Sequence, residues 1–246
     1  MAKQSRDVTI LLTRPLAQSL RFAREVEQAL PGVPILLSPL MVPEYFTPPI
    51  PPQEYAAVIL VSTAAVEAAR RISAAGSNLP SRAYCVGNRT AAAAKIAGFD
   101  AVSANGDATA LLALIIADKP SGPLLFLRGH DSTGRILETL ISAEMETVSI
   151  ICYQQVFQAL NPVAMDVLRG NAPVILPVFS PRSALLLQTE TARISATSPL
   201  WVAALSPAIA AVIDLKTIAR LATADHPNSA DMILTMQSLT GPDGSP

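Results

Sequence analysis

Residues 58–66 read Val58-Ile59-Leu60-Val61-Ser62-Thr63-Ala64-Ala65-Val66, an apolar run that stops at two hydroxyl residues and continues into an alanine-rich segment. A matching stretch, Leu176-Pro177-Val178-Phe179-Ser180-Pro181-Arg182-Ser183-Ala184, lies far downstream. Each is followed by a second turn of the same kind: Gly87 lies 25 residues after Ser62, and Ser206 lies 26 residues after Ser180. A third turn signal follows in each half, at 105–109 and 225–229. The repeated spacing predicts two related α/β lobes with a ligand held in the cleft between them.

The composition is typical of a folded protein with two domains of ordinary size. Half of the 246 residues are hydrophobic and 15% are charged, which is enough apolar material for two cores. The net charge is -1 and aromatic residues make up 4% of the chain. The chain therefore lacks both the basic field and the stacking surface that nucleic acids require, and we expect no nucleic-acid partner.

The polar N-terminal segment and the cysteine content favour a cytoplasmic protein. Residues 1–7 do not resemble a secretory signal, and the apolar stretch 199–213 is too short and too interrupted to cross a membrane. Cys85 and Cys152 are the only cysteines, and we expect them to be reduced thiols. The two histidines have no cysteine near them in the sequence, so no metal site is expected.

Apolar runs alternate with amphipathic segments along the whole chain, which predicts parallel sheets with helices on both faces. The predicted strands are 8–12, 33–37, 57–61, 82–86, 101–103, 123–127, 147–154, 173–179, 200–205 and 217–223. The predicted helices are 17–29, 64–75, 89–97, 107–117, 132–144, 162–169, 182–189, 207–214 and 228–238.

A proline-rich segment, 39–52, is predicted to have no regular structure and to mark a domain boundary. The second half of the repeat lacks an opening strand-helix-strand of its own. We therefore expect residues 1–37 to join 160–246 in a first, discontinuous lobe, with 43–150 inserted as the second lobe. The crossovers 36–42 and 150–159 would then run side by side as a two-stranded β hinge.

Small and hydroxyl residues follow the predicted strands, at the edge where open parallel sheets bind ligands. Such residues often serve only as helix caps, but together they would expose helix N-terminal N–H groups that favour carboxylates or phosphates. The candidate binding residues are Thr13, Arg14, Ser62, Thr63, Gly87, Asn88, Thr90, Arg128, Gly129, Ser180, Ser183 and Ser206.

Three side chains could do more than cap a helix. Arg14 and Arg128 each follow an apolar strand, where an arginine either binds a carboxylate ligand or balances the charge of its own domain. Tyr153 lies in the second crossover, where it either packs or donates a proton to a leaving group in the cleft.

Several motifs of cofactor-dependent and covalent enzymes are missing from the sequence. It contains no Gly-x-Gly-x-x-Gly after a strand, no phosphate loop, no Gly-x-Ser-x-Gly and no Cys-x-x-Cys. The sequence therefore favours a protein that works on an anionic ligand without a cofactor.

The motifs, taken in order, resemble those of the uroporphyrinogen-III synthase family over nearly the whole chain. The segments that carry the resemblance are Leu12-Thr13-Arg14-Pro15, Val61-Ser62-Thr63-Ala64-Ala65-Val66-Glu67-Ala68, Val86-Gly87-Asn88-Arg89-Thr90-Ala91, Phe126-Leu127-Arg128-Gly129, Tyr153-Gln154 and Phe179-Ser180-Pro181-Arg182-Ser183-Ala184. The resemblance implies a cofactor-free lyase that cyclises hydroxymethylbilane to uroporphyrinogen III, with inversion of ring D and loss of water, in tetrapyrrole and heme biosynthesis. It also implies a monomer that receives its substrate by transient handover from the preceding enzyme.

By position, Tyr153 matches the cleft tyrosine of the family, the residue best placed to assist departure of the substrate hydroxyl. Thr90 and Ser180 match hydroxyls that line the cleft, and Ser62 matches the equivalent turn. One departure concerns the family's Gly-Pro-Thr-Thr-Ala-type turn, which here reads Ser206-Pro207-Ala208-Ile209-Ala210 and lacks both threonines. This leaves an alternative: a catalytically inactive bilobed copy that binds tetrapyrroles or another anionic small molecule.

Overall fold

A computed structural model describes residues 8–132 and 135–240, in which strands and helices alternate. The strands are β1 (Thr9–Leu12), β2 (Ile35–Leu37), β3 (Met41–Tyr45), β4 (Ala57–Leu60), β5 (Arg82–Cys85), β6 (Asp100–Ser103), β7 (Leu124–Gly129), β8 (Thr147–Phe157), β9 (Val174–Val178), β10 (Leu200–Ala204) and β11 (Arg220–Thr223). The helices are α1 (Leu16–Ala29), α2 (Thr63–Ala74), α3 (Asn88–Ile96), α4 (Ala108–Asp118), α5 (Ile136–Ser142), α6 (Pro162–Leu168), α7 (Pro181–Arg193), α8 (Pro207–Ala210) and α9 (Ser229–Leu239).

The described chain divides into two compact units. Unit 1 comprises residues 8–42 and 157–240, and unit 2 comprises 43–156 without residues 133 and 134. The five-stranded sheet of unit 1 has the order β11-β10-β9-β1-β2, and its neighbouring strands are parallel. The six-stranded sheet has the order β3-β8-β7-β4-β5-β6. The fold is therefore α/β with two sheets flanked by helices.

The two sheets have the same spatial plan with a different chain order. Strands β9, β10 and β11 lie next to one another in unit 1, as β4, β5 and β6 do in unit 2. On the other side of β9 lie β1 and β2, which correspond to β7 and β8 on the other side of β4. The opening strand-helix-strand of unit 1 thus takes the place that β7, α5 and β8 take in unit 2.

Both faces of each sheet are covered by helices. In unit 1 one core lies beneath α6, α7 and α8, and the other beneath α1 and α9. In unit 2 the two cores lie beneath α2 and α3 and beneath α4 and α5. Successive residues of a strand point to opposite cores, as Ile59 and Leu60 of β4 do. Strands β4, β9 and β10 are consequently buried along their whole length.

The second sheet is mixed, whereas the sequence predicted a parallel sheet in each lobe and a separate two-stranded β hinge. The backbone N–H of Phe46 donates to Cys152 O, and that of Gln158 donates to Leu40 O, so β3 and β8 run in opposite directions. Strand β3 lies inside the proline-rich segment that was predicted to have no regular structure. Its position at the edge of the sheet explains how Pro43 is tolerated, because an edge strand can spare one N–H donor.

Several other predicted elements have different bounds in the structure: for example, the helix predicted over 182–189 runs to Arg193, and the strand predicted over 217–223 begins at Arg220. The helix expected over 207–214 stops at Ala210, and a 3-10 turn at Leu215–Thr217 follows. Gln188 of α7 accepts the N–H of Asp214 over 2.6 Å and donates to Val212 O over 3.0 Å, so contacts with another helix replace the last helical turn. The helix expected over 132–144 is observed at Ile136–Ser142, and part of its predicted start lies outside the described residues.

The turns that repeat in the sequence are helix N-caps. Gly87 precedes α3 and Ser206 precedes α8, neither with a side-chain cap. At the other equivalent helix starts a side-chain oxygen accepts a backbone N–H of the first helical turn. The residues that supply this oxygen are Ser62, Asp107, Ser180 and Asn228.

Buried polar contacts fix the chain where it returns to unit 1 after β8. The N–H of Leu160 donates to Glu190 Oε2 over 3.0 Å, and the N–H of Asn161 donates to Ser38 Oγ over 2.9 Å. Glu190 is 1% exposed and also accepts two hydrogen bonds from Arg193. The bond with Arg193 is the main cause that holds the pKa of Glu190 below its ordinary value.

Replacing this carboxylate should destabilise the protein. Glu190→Ala should lower the free energy of unfolding by about 1–3 kcal/mol near neutral pH, because the buried N–H of Leu160 loses its acceptor. The pKa of Glu190 is lowered in the fold, so its stabilisation is present above the unfolded pKa and is lost as pH falls through the folded pKa. The difference between variant and parent should therefore shrink in acid, as urea unfolding would measure.

Glu27→Ala is the matched control, because Glu27 is an exposed carboxylate on α1 of the same unit. It should change the free energy of unfolding by less than about 0.5 kcal/mol. Equal losses in the two variants would contradict an anchoring role for Glu190.

Candidate functional site

In the middle of each sheet is a position where helices leave two neighbouring parallel strands toward opposite faces. In unit 2 it lies between β4 and β7, because α2 and α5 pack on different cores. In unit 1 it lies between β9 and β1, because α7 and α1 do the same. Open α/β sheets bind ligands in the crevice at the carboxyl ends of such strands. We refer to the two positions as the β4/β7 crevice and the β9/β1 crevice.

Tyr153 of β8 reaches over the neighbouring strand to the β4/β7 crevice. The register of β7 and β8 shifts where Arg128 and Gly129 pair with Ile151 and Tyr153, so that one residue of β8 is skipped. A bulge of this kind changes the direction of the side chains that follow it. The Tyr153 ring passes over Gly129, where an added Cβ would lie 2.8 Å from the ring atoms. The phenol oxygen lies 2.9 Å from Ser62 Oγ, just beyond β4.

The phenol of Tyr153 lies in a largely apolar environment. The residue is 9% exposed, and burial raises the pKa of the phenol, while the hydrogen bond with Ser62 acts in the opposite direction. Burial also raises the pKa of the neighbouring Cys152 thiol to about 12, so this thiol is neutral. The phenol is therefore protonated at neutral pH and can act as a hydrogen-bond or proton donor.

Other predicted residues of unit 2 lie along the same edge of the sheet. Thr63 is the first residue of α2, and Asn88 is the first residue of α3, directly after Gly87. Asn88 is exposed, and its Nδ2 donates to Asn105 Oδ1 over 2.7 Å. Thr90, in the first turn of α3, is largely buried at 6% exposure.

Arg128 lies inside β7, whereas the sequence placed it just beyond the strand. The strand extends to Gly129 because β8 continues beside it. Arg128 Nε donates to Ser149 Oγ over 2.9 Å, and Nη1 donates to Gly129 O over 3.2 Å. These hydrogen bonds join the guanidinium to the neighbouring strand and to the bulge. Of the two predicted roles of Arg128, they favour one within its own domain over the binding of a carboxylate ligand.

In unit 1, Arg14 lies beside the β9/β1 crevice. Its guanidinium carbon is 3.9 Å from the centroid of the Phe179 ring, and its Nε donates to Gln18 Oε1 over 3.1 Å. Burial lowers the pKa of Arg14, and nearby Arg21 acts in the same direction, but a guanidinium remains charged at neutral pH. A planar cation held against a ring is well suited to bind a carboxylate.

The predicted hydroxyls of unit 1 differ in how far they are covered. Thr13 is 3% exposed and Ser183 is 8% exposed. Ser183 Oγ lies 2.8 Å from Ser180 Oγ, and Ser180 also accepts the N–H of Ser183 as the cap of α7. Ser206 is partly exposed and begins the short α8.

Two aromatic residues of the crevices were not predicted as site residues. Phe179 supports Arg14 from the end of β9. Tyr45 of β3 lies with its ring centroid 6.3 Å from that of Tyr153, and Arg71 of α2 lies over Tyr45 at 4.3 Å. Aromatic residues make up only 4% of the chain, so one directly before Ser180 was a usable signal. Nothing in the sequence linked Tyr45 to Tyr153.

One large surface cavity lies away from both crevices. It has a volume of about 550 Å³ and lies against the amino end of β10, with Ser195, Thr197, Leu200 and Lys216 in its walls. The predicted site residues of unit 1 are at the carboxyl ends of the strands, at the opposite edge of the sheet. This cavity is therefore separate from the candidate site.

The chain matches a known protein family over most of its length. Residues 40–234 match the family described as uroporphyrinogen-III synthase HemD. The chain belongs to the uroporphyrinogen-III synthase family. The match includes segments of both units, and it confirms the resemblance that the ordered motifs indicated. No curated protein matches the chain.

Solved structures of uroporphyrinogen-III synthases resemble this chain. Uroporphyrinogen-III synthetase from Helicobacter pylori is 14% identical with a TM-score of 0.59, and the match covers 94% of this chain and 99% of that one. A mutant uroporphyrinogen III synthase from the extremely thermophilic bacterium Thermus thermophilus is 16% identical with a TM-score of 0.45, covering 93% and 97%. The likeness to the Helicobacter protein shows that the α/β fold is shared.

Metal binding and membrane crossing can be judged for the described residues of the chain, 8–132 and 135–240. In that part of the chain, no group of three or more His, Cys, Asp or Glu side chains is placed to hold a metal ion. None of the helices described there is both long and apolar enough to span a membrane.

The close approach of Gly129 to Tyr153 can be tested by adding one methyl group. Gly129→Ala should lower the free energy of unfolding by about 1–3 kcal/mol, because its Cβ would lie 2.8 Å from the ring. Gly87→Ala is the matched control at the same edge, since its Cβ would have no atom within 4 Å, and it should cost about 1 kcal/mol or less. Denaturant unfolding measures both. If Gly87→Ala loses as much free energy of unfolding as Gly129→Ala or more, the Tyr153 ring moves away from an added methyl group at little cost.

Proposed function

We propose that the protein is an active uroporphyrinogen-III synthase, a lyase of class EC 4.2.1.75. It would cyclise hydroxymethylbilane to uroporphyrinogen III, with inversion of ring D and loss of water. Family membership supports this substrate, because the family acts on hydroxymethylbilane. The observation that carries the proposal is the buried, protonated phenol of Tyr153 at the β4/β7 crevice, 2.9 Å from Ser62 Oγ.

The step assigned to Tyr153 is the departure of the substrate hydroxyl. The phenol gives its proton to the hydroxyl oxygen, the C–O bond breaks with both electrons going to oxygen, and water leaves. Loss of the pyrrole N–H proton then gives a neutral azafulvene, and that proton restores the phenol. Ring D attacks the azafulvene through its substituted carbon and gives a spiro intermediate. The earlier bond to that carbon then breaks, the released methylene carbon bonds to the unsubstituted α-carbon of ring D, and the proton lost there goes to a pyrrole nitrogen, so that the macrocycle closes with ring D inverted. The step consumes no external acid or base.

The carboxylates of the substrate need donors that are not strong acids. Helices α2, α3 and α7 begin beside the crevices, and their first-turn N–H groups favour anions. Arg14 adds a fixed positive charge on Phe179. Because hydroxymethylbilane closes unaided to the symmetric isomer, an enzyme has to control its conformation, and many moderate donors serve that purpose.

Several parts of the proposal stay predictions of the sequence. These are a single cleft that brings both sets of residues to one ligand, a cofactor-free reaction, a cytoplasmic monomer, and transient handover from the preceding enzyme. The binding roles of the hydroxyl and glycine residues belong to the same group of predictions.

The second candidate is a family copy that binds a tetrapyrrole or another anionic small molecule without turnover. The turn at Ser206 favours it, because α8 has four residues, Ser206 makes no side-chain cap, and Ala208 and Ile209 supply no hydroxyl. This turn would offer fewer contacts to a carboxylate than a threonine-containing one.

The isomer formed from hydroxymethylbilane distinguishes the two candidates. Purified protein mixed with freshly generated hydroxymethylbilane should yield mainly the type III isomer, as oxidation and chromatography of the products would show. The sample without protein gives the spontaneous type I product. Type I alone, at the spontaneous rate, would exclude the enzyme, and tight tetrapyrrole binding in that sample would support the binding protein.

Removing the phenol oxygen should slow turnover without unfolding the protein. Tyr153→Phe is expected to reduce kcat between ~10-fold and ~1000-fold, the effect of losing one positioned proton donor. Tyr55→Phe is the matched control, because it removes another buried phenol oxygen, at the other end of β4 and away from the crevice. Steady-state rates and circular dichroism measure both variants. A parental rate in Tyr153→Phe would assign this ring to packing.

A further inference from the structure

The other contact of Ser62 Oγ bears on the direction of its hydrogen bond with Tyr153. Ser62 is the N-cap of α2, and its Oγ accepts the N–H of Ala65 over 3.1 Å. This contact uses a lone pair of Oγ and leaves the hydroxyl proton available. Within the described residues the other partner of Ser62 Oγ is the phenol oxygen of Tyr153, at 2.9 Å. A serine hydroxyl has one proton to donate, and among the described residues this phenol oxygen is the acceptor at hydrogen-bond distance.

We propose that Ser62 is a positioning residue that donates its proton to the phenol oxygen of Tyr153, so that the phenol directs its own proton at the substrate. This proposal rests on the proposed function. In the reverse arrangement Tyr153 would donate its proton to Ser62 Oγ in a hydrogen bond, and that proton would not be directed at a departing hydroxyl. The catalytic value of the phenol therefore depends on the donor at position 62.

The electrostatics of α2 support this direction. The N-terminus of a helix carries a partial positive charge, and an N–H that donates to a hydroxyl oxygen makes that hydroxyl a better donor. Once Tyr153 has given up its proton, its oxygen is negative in a site that is 9% exposed. A hydrogen bond from Ser62 would stabilise that charge, in line with its opposing effect to burial on the pKa of the phenol, an effect to which the Gly129 backbone adds.

The backbone around Tyr153 keeps its oxygen within reach of Ser62. The backbone N–H of His130 donates to the backbone carbonyl oxygen of Tyr153 over 2.8 Å, and Gly129 lies directly against the ring. The ring of Tyr45 lies on another side, at 6.3 Å between centroids. These contacts hold the ring where its oxygen lies 2.9 Å from Ser62 Oγ.

The equivalent serine of unit 1 has a different partner. Ser180 caps α7 as Ser62 caps α2, and both follow the strand next to the crevice. The Ser180 hydroxyl, however, lies 2.8 Å from Ser183 Oγ, another hydroxyl of its own helix. The serine-phenol pair is therefore a feature of unit 2, which assigns proton transfer to that unit.

The kinetic test uses four single variants and one double variant. Ser62→Ala should reduce kcat ~10-fold to ~100-fold with little change in KM, and Ser62→Thr, which keeps donor and cap, should restore most of the rate. Asp107→Ala removes the side-chain cap of α4 in the same unit and should lose stability without losing rate. If Ser62 acts through Tyr153, Ser62→Ala should cost nothing further in a Tyr153→Phe background. Additive losses would overturn the proposal.

A ligand-free measurement separates this proposal from the proposed function. Protein labelled with 3-fluorotyrosine is titrated by fluorine NMR, and the Tyr153 signal is identified by its absence in Tyr153→Phe. The phenol pKa should rise in Ser62→Ala and stay near the parental value in Ser62→Thr. An unchanged or lower pKa in Ser62→Ala would overturn the donation by Ser62, whatever isomer the protein makes. Failure to form type III isomer would overturn the proposed function instead.

Discussion

Parallel strands that are covered by helices on both faces leave little place for polar side chains along their length. In β4, β9 and β10 every residue is buried, so the first polar side chains come where the strand leaves the sheet. At Ser62 and Ser180 those side chains also begin a helix, so one position supplies a hydroxyl and a set of free N–H donors. The burial that stabilises each sheet therefore also collects its polar chemistry at one edge.

Most strands and helices could be predicted because buried strands require apolar runs and half-buried helices require apolar residues at helical spacing. The exceptions depend on the position of an element in the fold. Strand β3 contains Pro43, which is acceptable only because β3 is an edge strand, and an edge cannot be recognised from local sequence. The stretch after Ala210 has helical composition, yet Gln188 of α7 holds it as a turn through hydrogen bonds with Val212 and Asp214. Tertiary contacts decided both cases.

The candidate site was predictable in its residue types and less so in its contacts. Arg14 and Arg128 have nearly the same local sequence context, but β8 continues beside Arg128 and engages it through Ser149, whereas Arg14 meets a ring. Tyr153 could be recognised from its motif. Its contact with Ser62 depends on a register shift between β7 and β8 and on a glycine, without a side chain, at position 129. Neither effect can be predicted before the pairing of the strands is known.

The different chain orders of the two equivalent sheets also affect biosynthesis. Unit 2 is a continuous segment, 43–156, so all of it has been synthesised before the second part of unit 1 begins. Strand β1 pairs with β9, as Thr9 does with Val174, so β1 is made early and waits for one of its two neighbours. An unpaired edge of an apolar strand is open to other nascent chains in that interval. The permuted order thus makes the inserted unit the first that can close and leaves β1 as the segment most in need of protection on the ribosome.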